Sequence, residues 1–96
     1  MNRMSMSGKL IGADALRHTP AGVALINRRL RHVSDQMEAG VARRVECEIE
    51  VIALADQAMR LSTVGDGQAV RLSGFLANRS RTSAHIVLHV NAIDPE

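Results

Sequence analysis

Arginine is the residue type in this sequence best suited to binding chemistry, and seven arginines stand in three clusters. The clusters are Arg28, Arg29 and Arg31; Arg43 and Arg44; Arg79 and Arg81. Guanidinium groups spaced along a groove bind phosphates and also stack on base faces. The alternative is a solvated surface with local acidic partners, which the chain supplies at Asp35, Glu38, Glu46, Glu48 and Glu50. Each cluster by itself fits either interpretation.

The other polar residues show no arrangement typical of catalysis or metal binding. No nucleophile stands with a base in a recognisable frame, and the sequence has no glycine-rich phosphate loop. His85 and His89 share one face of a predicted strand but lie roughly 13 Å apart at about 3.3 Å per residue, too far to share an ion. Cys47 is the single cysteine, which excludes an internal disulfide and a cysteine-rich zinc site. We expect no enzyme activity, no metal, no cofactor and a reducing, cytoplasmic location.

The composition indicates one folded domain over residues 1–96. A chain of 96 residues has room for about one packed core. Its apolar content of 46% and charged content of 23% are ordinary for a globular protein, and the net charge of +2 is mildly basic. No apolar run approaches 18 residues, so we expect no membrane span and no secretion signal.

Phe75 is the only aromatic residue, because the chain has no Trp and no Tyr. The core must therefore be built from aliphatic residues, and ligand recognition must rest mostly on charge and hydrogen bonding. Phe75 is one of the alternate residues of its predicted strand that face outward, where one base can stack on its ring. A lone Phe is more often a core or interface residue, and that alternative stays open.

Alternation of apolar and polar residues predicts four strands, over residues 3–12, 44–51, 70–76 and 86–90. In the second of these, Cys47 shares the apolar parity and is expected to be buried. The glutamates at 46, 48 and 50 form an acidic stripe on the opposite face, most simply a solubilising surface. The tail from residue 91 onward is predicted to lie outside the last strand.

The segment 23–37 is ambiguous. Its apolar residues recur at the 3, 4, 3, 4 spacing of an amphipathic helix, and on their own they favour a helix. In the strand interpretation, Arg28 interrupts the apolar face between Ile26 and Leu30. Residues 34–40 are predicted as a loop that ends at Gly40.

The remaining segments complete a fold. We predict turns over 14–22 and 63–68, a short helix over 53–61 and a basic hairpin loop over 78–83. Gly8 and Gly74 interrupt strands in the manner of a bulge or a close backbone approach. Four strands, or five with 23–33, around one short helix match the all-β OB-fold, a five-stranded Greek-key barrel.

Seven short pieces carry a resemblance to a known family: Thr19–Val23, Leu30–His32, Glu38–Gly40, Cys47, Val64–Asp66, Val70–Leu76 and Val87–His89. In order and spacing they resemble the primosomal replication protein N (PriB) family over nearly the whole chain. The resemblance implies an OB-fold homodimer that binds single-stranded DNA and acts in bacterial replication restart with the helicase PriA and the loader protein DnaT. It also implies that 23–37 is not a helix, and that the strand over 3–11 contributes to the dimer.

The chain departs from the family at two aromatic positions, which are Val41 and Glu46 here. The basic residues before the last strand are kept in kind as Arg79 and Arg81, with His85 where the family can carry a lysine. The implied DNA-contacting residues are therefore the three arginine clusters with Phe75 and His85. The loop arginines have no acid within 78–83 and are expected to lack local partners, whereas Arg44 is expected to pair with Glu46 on one strand face.

Two other functions remain open at this stage. Because the stacking rings are missing, the chain also fits a protein–protein adaptor of the primosome with negligible affinity for DNA. The helical pattern over 23–37 fits a helical interaction module.

Overall fold

The computed structural model describes residues 1–12 and 15–96. Its elements, in chain order, are β1 (Met4–Ile11), β2 (Arg17–His18), β3 (Ala24–Glu38), β4 (Val41–Leu54), α1 (Asp56–Ser62), β5 (Gln68–Asn78) and β6 (Ile86–Pro95). Within the predicted turn over 14–22, Asp14 lies outside the described residues. The amide of Gly22 donates to the Thr19 carbonyl at 2.8 Å, which closes the predicted turn after β2.

Five long strands close into a barrel. The strand order is β1-β5-β6-β4-β3, β3 returns to pair with β1, and the two-residue β2 adds to the outer edge of β3. The pairs are antiparallel except for β4 with β6, which run parallel. With α1 between β4 and β5, this is the predicted OB-fold barrel.

The core is aliphatic, as the composition requires. Its largest fully buried side chains are Leu10, Leu30, Leu61, Leu72, Leu88, Val51 and Val70. Two glycines let strands approach closely, because a Cβ on Gly8 would overlap the carbonyl of Arg31 and a Cβ on Gly74 would overlap the carbonyl of His89. The β5–β6 register shifts between Ser73 and Gly74, so the predicted bulge is confirmed.

Residues 24–38 form a strand, so the implication of the resemblance is confirmed and the helix favoured by the local spacing over 23–37 is wrong. Residues from Leu25 to Glu38 pair one by one with β4, and this long-range pairing overrides the local spacing. Val33 and Met37, which completed the helical pattern, are exposed on the strand. The weaker alternation through Ile26 and Leu30 was the correct signal.

The loop predicted over 34–40 is also absent from the described structure, because β3 and β4 continue to a tight turn at Ala39 and Gly40. Both turn residues have positive φ, 53° and 78°, as a two-residue hairpin with the right-handed twist of its strands requires. Beyond the short pairings with β1, β2 and β6, these two strands pair only with each other among the described residues. They form a projecting hairpin, the β3–β4 arm, on a molecule 50 Å long.

The β3–β4 arm explains a further correction. Cys47 lies on the side of β4 that faces the core, but the arm extends past the barrel, so no described residue covers this part of the face and the thiol is exposed. Val41 is 65% exposed for the same reason. Parity predicts which face a side chain occupies, and only the barrel's extent decides whether that face is buried.

The last elements are shifted slightly from their predicted bounds. The helix starts at Asp56 because β4 continues to Leu54, and β6 runs on to Pro95 where a non-strand tail was predicted. Pairing with β5, from Asn78↔Ile86 to Val70↔Pro95, keeps these residues extended. Within residues 1–12 and 15–96, no helix has the length and apolar character that a membrane crossing requires.

Candidate nucleic-acid interface

A polar cleft of about 300 Å³ opens on the outside of the barrel, between the segment after β1 and the loop before β6. The residues that line it are Gly12, Arg17, Asn27, Arg28, Arg29, Glu50 and Arg79. Alternation places these side chains: Ile26 and Leu30 point into the core, so the odd-numbered residues of β3 between them point outward. In an OB-fold the two flanking loops border the ligand-binding face.

Glu50 joins the three sides of the cleft. Arg79 Nη1 lies 3.6 Å and His85 Nε2 lies 3.7 Å from Glu50 Oε1. Asn27 Nδ2 donates to Glu50 Oε2 at 3.4 Å, and Asn27 Oδ1 accepts from Arg17 Nη2 at 2.6 Å. The Glu50 side chain is only 19% exposed, so its carboxylate is largely enclosed by these basic and amide groups.

The loop itself supplies no acidic partner, as expected, but the charge of Arg79 is not free. Its partner Glu50 lies far away in the sequence, on β4, and only the barrel brings the two together. Arg81 makes no ion pair with any residue that the structure describes. The basic loop thus presents one paired and one unpaired guanidinium.

The other exposed arginines of the three clusters also face carboxylates. Arg29 Nε and Arg31 Nη1 each lie 3.7 Å from one Glu48 carboxylate. On the β3–β4 arm, Arg43 Nη1 donates to Glu38 Oε1 at 2.5 Å.

The expected pair on that arm is also present, with Arg44 Nε donating to Glu46 Oε1 at 3.4 Å. Exposed pairs of this kind contribute little to stability and are screened by salt. The glutamates of the predicted acidic stripe therefore lie beside the arginines proposed to bind phosphate.

Arg28 has a different role from the one its cluster suggested. It is 3% exposed, and its Nη1 donates to the carbonyls of Leu61 and Val64, at 3.0 and 2.5 Å, where α1 ends. Burial lowers the pKa of Arg28, and the Asp66 carboxylate, 3.9 Å from Nη2, opposes that shift. This placement removes Arg28 from the predicted phosphate-contacting residues, since its guanidinium is enclosed within the protein.

Phe75 points outward from β5, as its parity predicted, and is 42% exposed. Its ring stacks on His89 of β6 with centroids 4.8 Å apart and planes 6° from parallel. In register, His89 pairs with Ile52 of β4, and Ile52 pairs with Asn27 of β3. One transverse row of the barrel thus connects the stacked rings to the cleft.

Two residues of this surface, Arg17 and Asn27, were not singled out from the sequence, and His89 was weighed there only as a metal ligand and not as part of a binding surface. Asn27 shares the parity of Arg29 on β3, which was a usable signal once 23–37 is taken as a strand. Arg17 and His89 carried none, because their positions depend on the β2–β3 and β5–β6 pairings. Across the described ranges, no three His, Cys, Asp or Glu side chains are grouped so that they could hold a metal ion.

Comparison with known proteins gives consistent results. A family model described as another single-strand binding protein family matches residues 2–92. The chain is similar to replication restart protein PriB of Nitrosomonas europaea, with 40% identity over 93% of this chain and 82% of the relative. Its identity to the Bordetella pertussis protein of the same name is 38%, over 94% of this chain and 84% of that one.

Solved structures agree with the barrel described above. The structure of priB from Ralstonia solanacearum superimposes with a TM-score of 0.89 at 31% identity, covering 100% of this chain and 98% of the other. The single-stranded DNA binding protein of Thermus aquaticus gives a TM-score of 0.80 at 23% identity, over 100% of this chain and half of the other. The second likeness is one of fold.

Proposed function

The chain belongs to the replication restart protein PriB family, within the single-strand binding proteins, and on that premise we propose that it binds single-stranded DNA as an adaptor in bacterial primosome assembly. The observation that carries the proposal is the cleft between the two loops of the OB barrel, with Arg17, Arg29 and Arg79 on its walls. The role is binding and not catalysis, and its place is the bacterial cytoplasm, where replication forks are restarted.

Phosphate recognition supplies most of the affinity in this proposal. The sugar-phosphate backbone of the DNA follows the cleft and the neighbouring face of the barrel. The protein residues that contact it are Arg29, Arg31, Arg43, Arg44, Arg79, Arg81 and His85, with Arg17 added from the structure. Phosphate contacts carry no sequence information, so the binding has little sequence preference. Phe75, stacked on His89, offers one ring face to a base.

Homodimer formation is part of the proposal. The β1–β3 pairing begins only at Lys9↔Arg31, so the part of β1 from Met4 to Ser7 pairs with β5 on one side and with no described strand on the other. An open strand edge is a template for a second chain. We expect a species of about twice 10.4 kDa in sedimentation at micromolar concentration; a single species of 10.4 kDa would contradict the dimer.

The partners of the dimer in this proposal are the helicase PriA and the loader protein DnaT.

A second candidate function is a primosome adaptor with negligible DNA affinity. It is favoured by one observation, the carboxylates that face most of the exposed clustered arginines. Phosphates must compete with these internal acids, which reduces the net gain from each contact.

Titration of labelled oligo-dT at two salt concentrations separates the two functions. If the chain binds through Z phosphates, the logarithm of the association constant falls with the logarithm of salt concentration with a slope of about −0.7Z. Oligo-dA and oligo-dC of equal length are expected to bind similarly. A flat salt profile with weak binding supports the adaptor function alone.

A further inference from the structure

Glu50 is unusual among the acidic residues of the barrel surface. The carboxylates of Glu38, Glu46, Glu48 and Asp94 lie in exposed ion pairs, with side chains between 43% and 67% exposed. The Glu50 side chain is 19% exposed and lies within 4 Å of a guanidinium, an imidazole and an amide. A carboxylate so enclosed has lost much of its hydration and depends on these neighbours for its stabilisation.

The position of Glu50 overlaps the position a phosphate needs. Carboxylate and phosphate are both oxygen anions that guanidinium groups bind in similar geometry. Glu50 lines the cleft together with Arg79, His85 contacts the same carboxylate oxygen as Arg79, and Arg29 is the register partner of Glu50 on β3. A phosphate placed between Arg79 and His85 would meet the Glu50 charge at close range.

We propose that Glu50 is an internal competitor for DNA phosphate, whose carboxylate occupies the position between Arg79 and His85 until a bound DNA strand displaces it. This inference rests on the proposed function, because it names what regulates the affinity of that same cleft. When a phosphate replaces the carboxylate at Arg79, Glu50 keeps its hydrogen bond from Asn27 and gains solvent. The energy of the broken contacts is subtracted from the binding energy, so the free chain holds its own site partly closed.

The test compares two substitutions that each remove one negative charge. Glu50→Gln keeps the size of the side chain and one oxygen that can accept from Asn27, but removes the charge from the cleft. Asp94→Asn is the matched control, since Asp94 pairs with Arg71 at 3.4 Å, outside the proposed contact surface. With labelled oligo-dT at low salt, we expect Glu50→Gln to lower Kd by about fivefold or more, a contact contribution of about 1 kcal/mol, and Asp94→Asn to lower it by less than twofold.

Equal gains from the two variants would overturn the inference, because they would show a general effect of net charge. A weaker-binding Glu50→Gln variant would also overturn it, since Glu50 would then position Arg79 productively. Should Glu50→Gln fail to fold by circular dichroism, Glu50→Asp shortens the side chain while keeping the charge, and it is expected to tighten binding as well. In an Arg79→Ala background, the gain from Glu50→Gln should shrink toward that of the control.

A second probe separates this inference from the proposed function. If neither the Glu50→Gln variant nor the Asp94→Asn variant binds oligo-dT at low salt, the proposed DNA binding fails. The competition between the Glu50 carboxylate and a phosphate is still measurable with inorganic pyrophosphate. We then follow the Arg79 side-chain NMR signals during titration with pyrophosphate. Tighter binding by Glu50→Gln than by Asp94→Asn supports the competitor role, and equal binding overturns it.

Discussion

The rings of Phe75 and His89 stack across the β5–β6 pair, 4.8 Å apart and within 6° of parallel. This stack holds the one aromatic ring of the chain in a fixed orientation, with 42% of Phe75 exposed. Val41 and Glu46 stand at the two positions where the resemblance implied aromatic residues. The stack is therefore the principal aromatic surface available to a base.

Replacing Phe75 by Ala is expected to weaken oligo-dT binding by about tenfold, because stacking contributes about 1–3 kcal/mol per base. The control is Phe75→Leu, which keeps an apolar side chain but removes the ring, and which should lose nearly as much. Fluorescence anisotropy measures both. Full affinity in Phe75→Ala would mean that the bases contact another part of the surface.

The loop arginines offer a test of the DNA path. We expect the double change Arg79→Ala and Arg81→Ala to weaken binding and to lower Z by about one per lost contact, without loss of fold. Arg81→Ala alone should lose at least as much as Arg79→Ala, because Arg79 must first leave Glu50. Arg44→Ala should lose less, since Arg44 is paired with Glu46. If Arg44→Ala loses as much affinity for oligo-dT as the double variant of Arg79 and Arg81, the DNA strand lies over the β3–β4 arm.

Arg28 is expected to matter for stability and not for affinity. Arg28→Met removes the donor to the Leu61 and Val64 carbonyls at the end of α1, a loss of about 2–3 kcal/mol in the free energy of unfolding. Urea unfolding measures this loss of stability. Under conditions where Arg28→Met remains folded, it should bind oligo-dT with normal affinity. The exposed Arg71→Met serves as the control and should change stability by less than about 1 kcal/mol. A stable variant with weak DNA binding would return Arg28 to the contact surface.

Gly74 is expected to be intolerant of any side chain. A Cβ added at this position would overlap the carbonyl of His89 at the bulge. Gly74→Ala should therefore lower the free energy of unfolding by about 1–3 kcal/mol or more. Gly65 is the matched control, because the nearest atom to its Cβ would be Gln68 Oε1 at 3.7 Å. Thermal unfolding of the two variants makes the comparison. Similar melting temperatures would show that β5 and β6 separate easily at the bulge.

The exposure of Cys47 can be tested chemically. We expect Ellman's reagent to react with the thiol of the native protein about as fast as with the denatured protein, because the β3–β4 arm leaves it uncovered. A thiol that reacts only after unfolding would show that another surface covers this face in solution.

Several features of this protein follow from local patterns of residues and could be predicted without a structure. Alternation predicted the strands around Ile49, Leu72 and Leu88, and a glycine on an apolar parity predicted the bulge at Gly74. The count of strands around one short helix predicted the OB-fold, and the resemblance carried by the order of short pieces implied the same fold. These predictions succeeded because the side chains of a strand alternate faces wherever the strand lies.

Features that depend on contacts between residues far apart in the sequence could be seen only in the folded structure. Pairing with β4 made 24–38 a strand, against its helical spacing. The end of the barrel left Cys47 exposed although its parity faces the core, and α1 enclosed Arg28 although arginines are usually exposed. The contact between Arg79 and Glu50 exists because the β5–β6 loop folds back over β4, and no local pattern encodes which charges a closed barrel brings within 4 Å of each other.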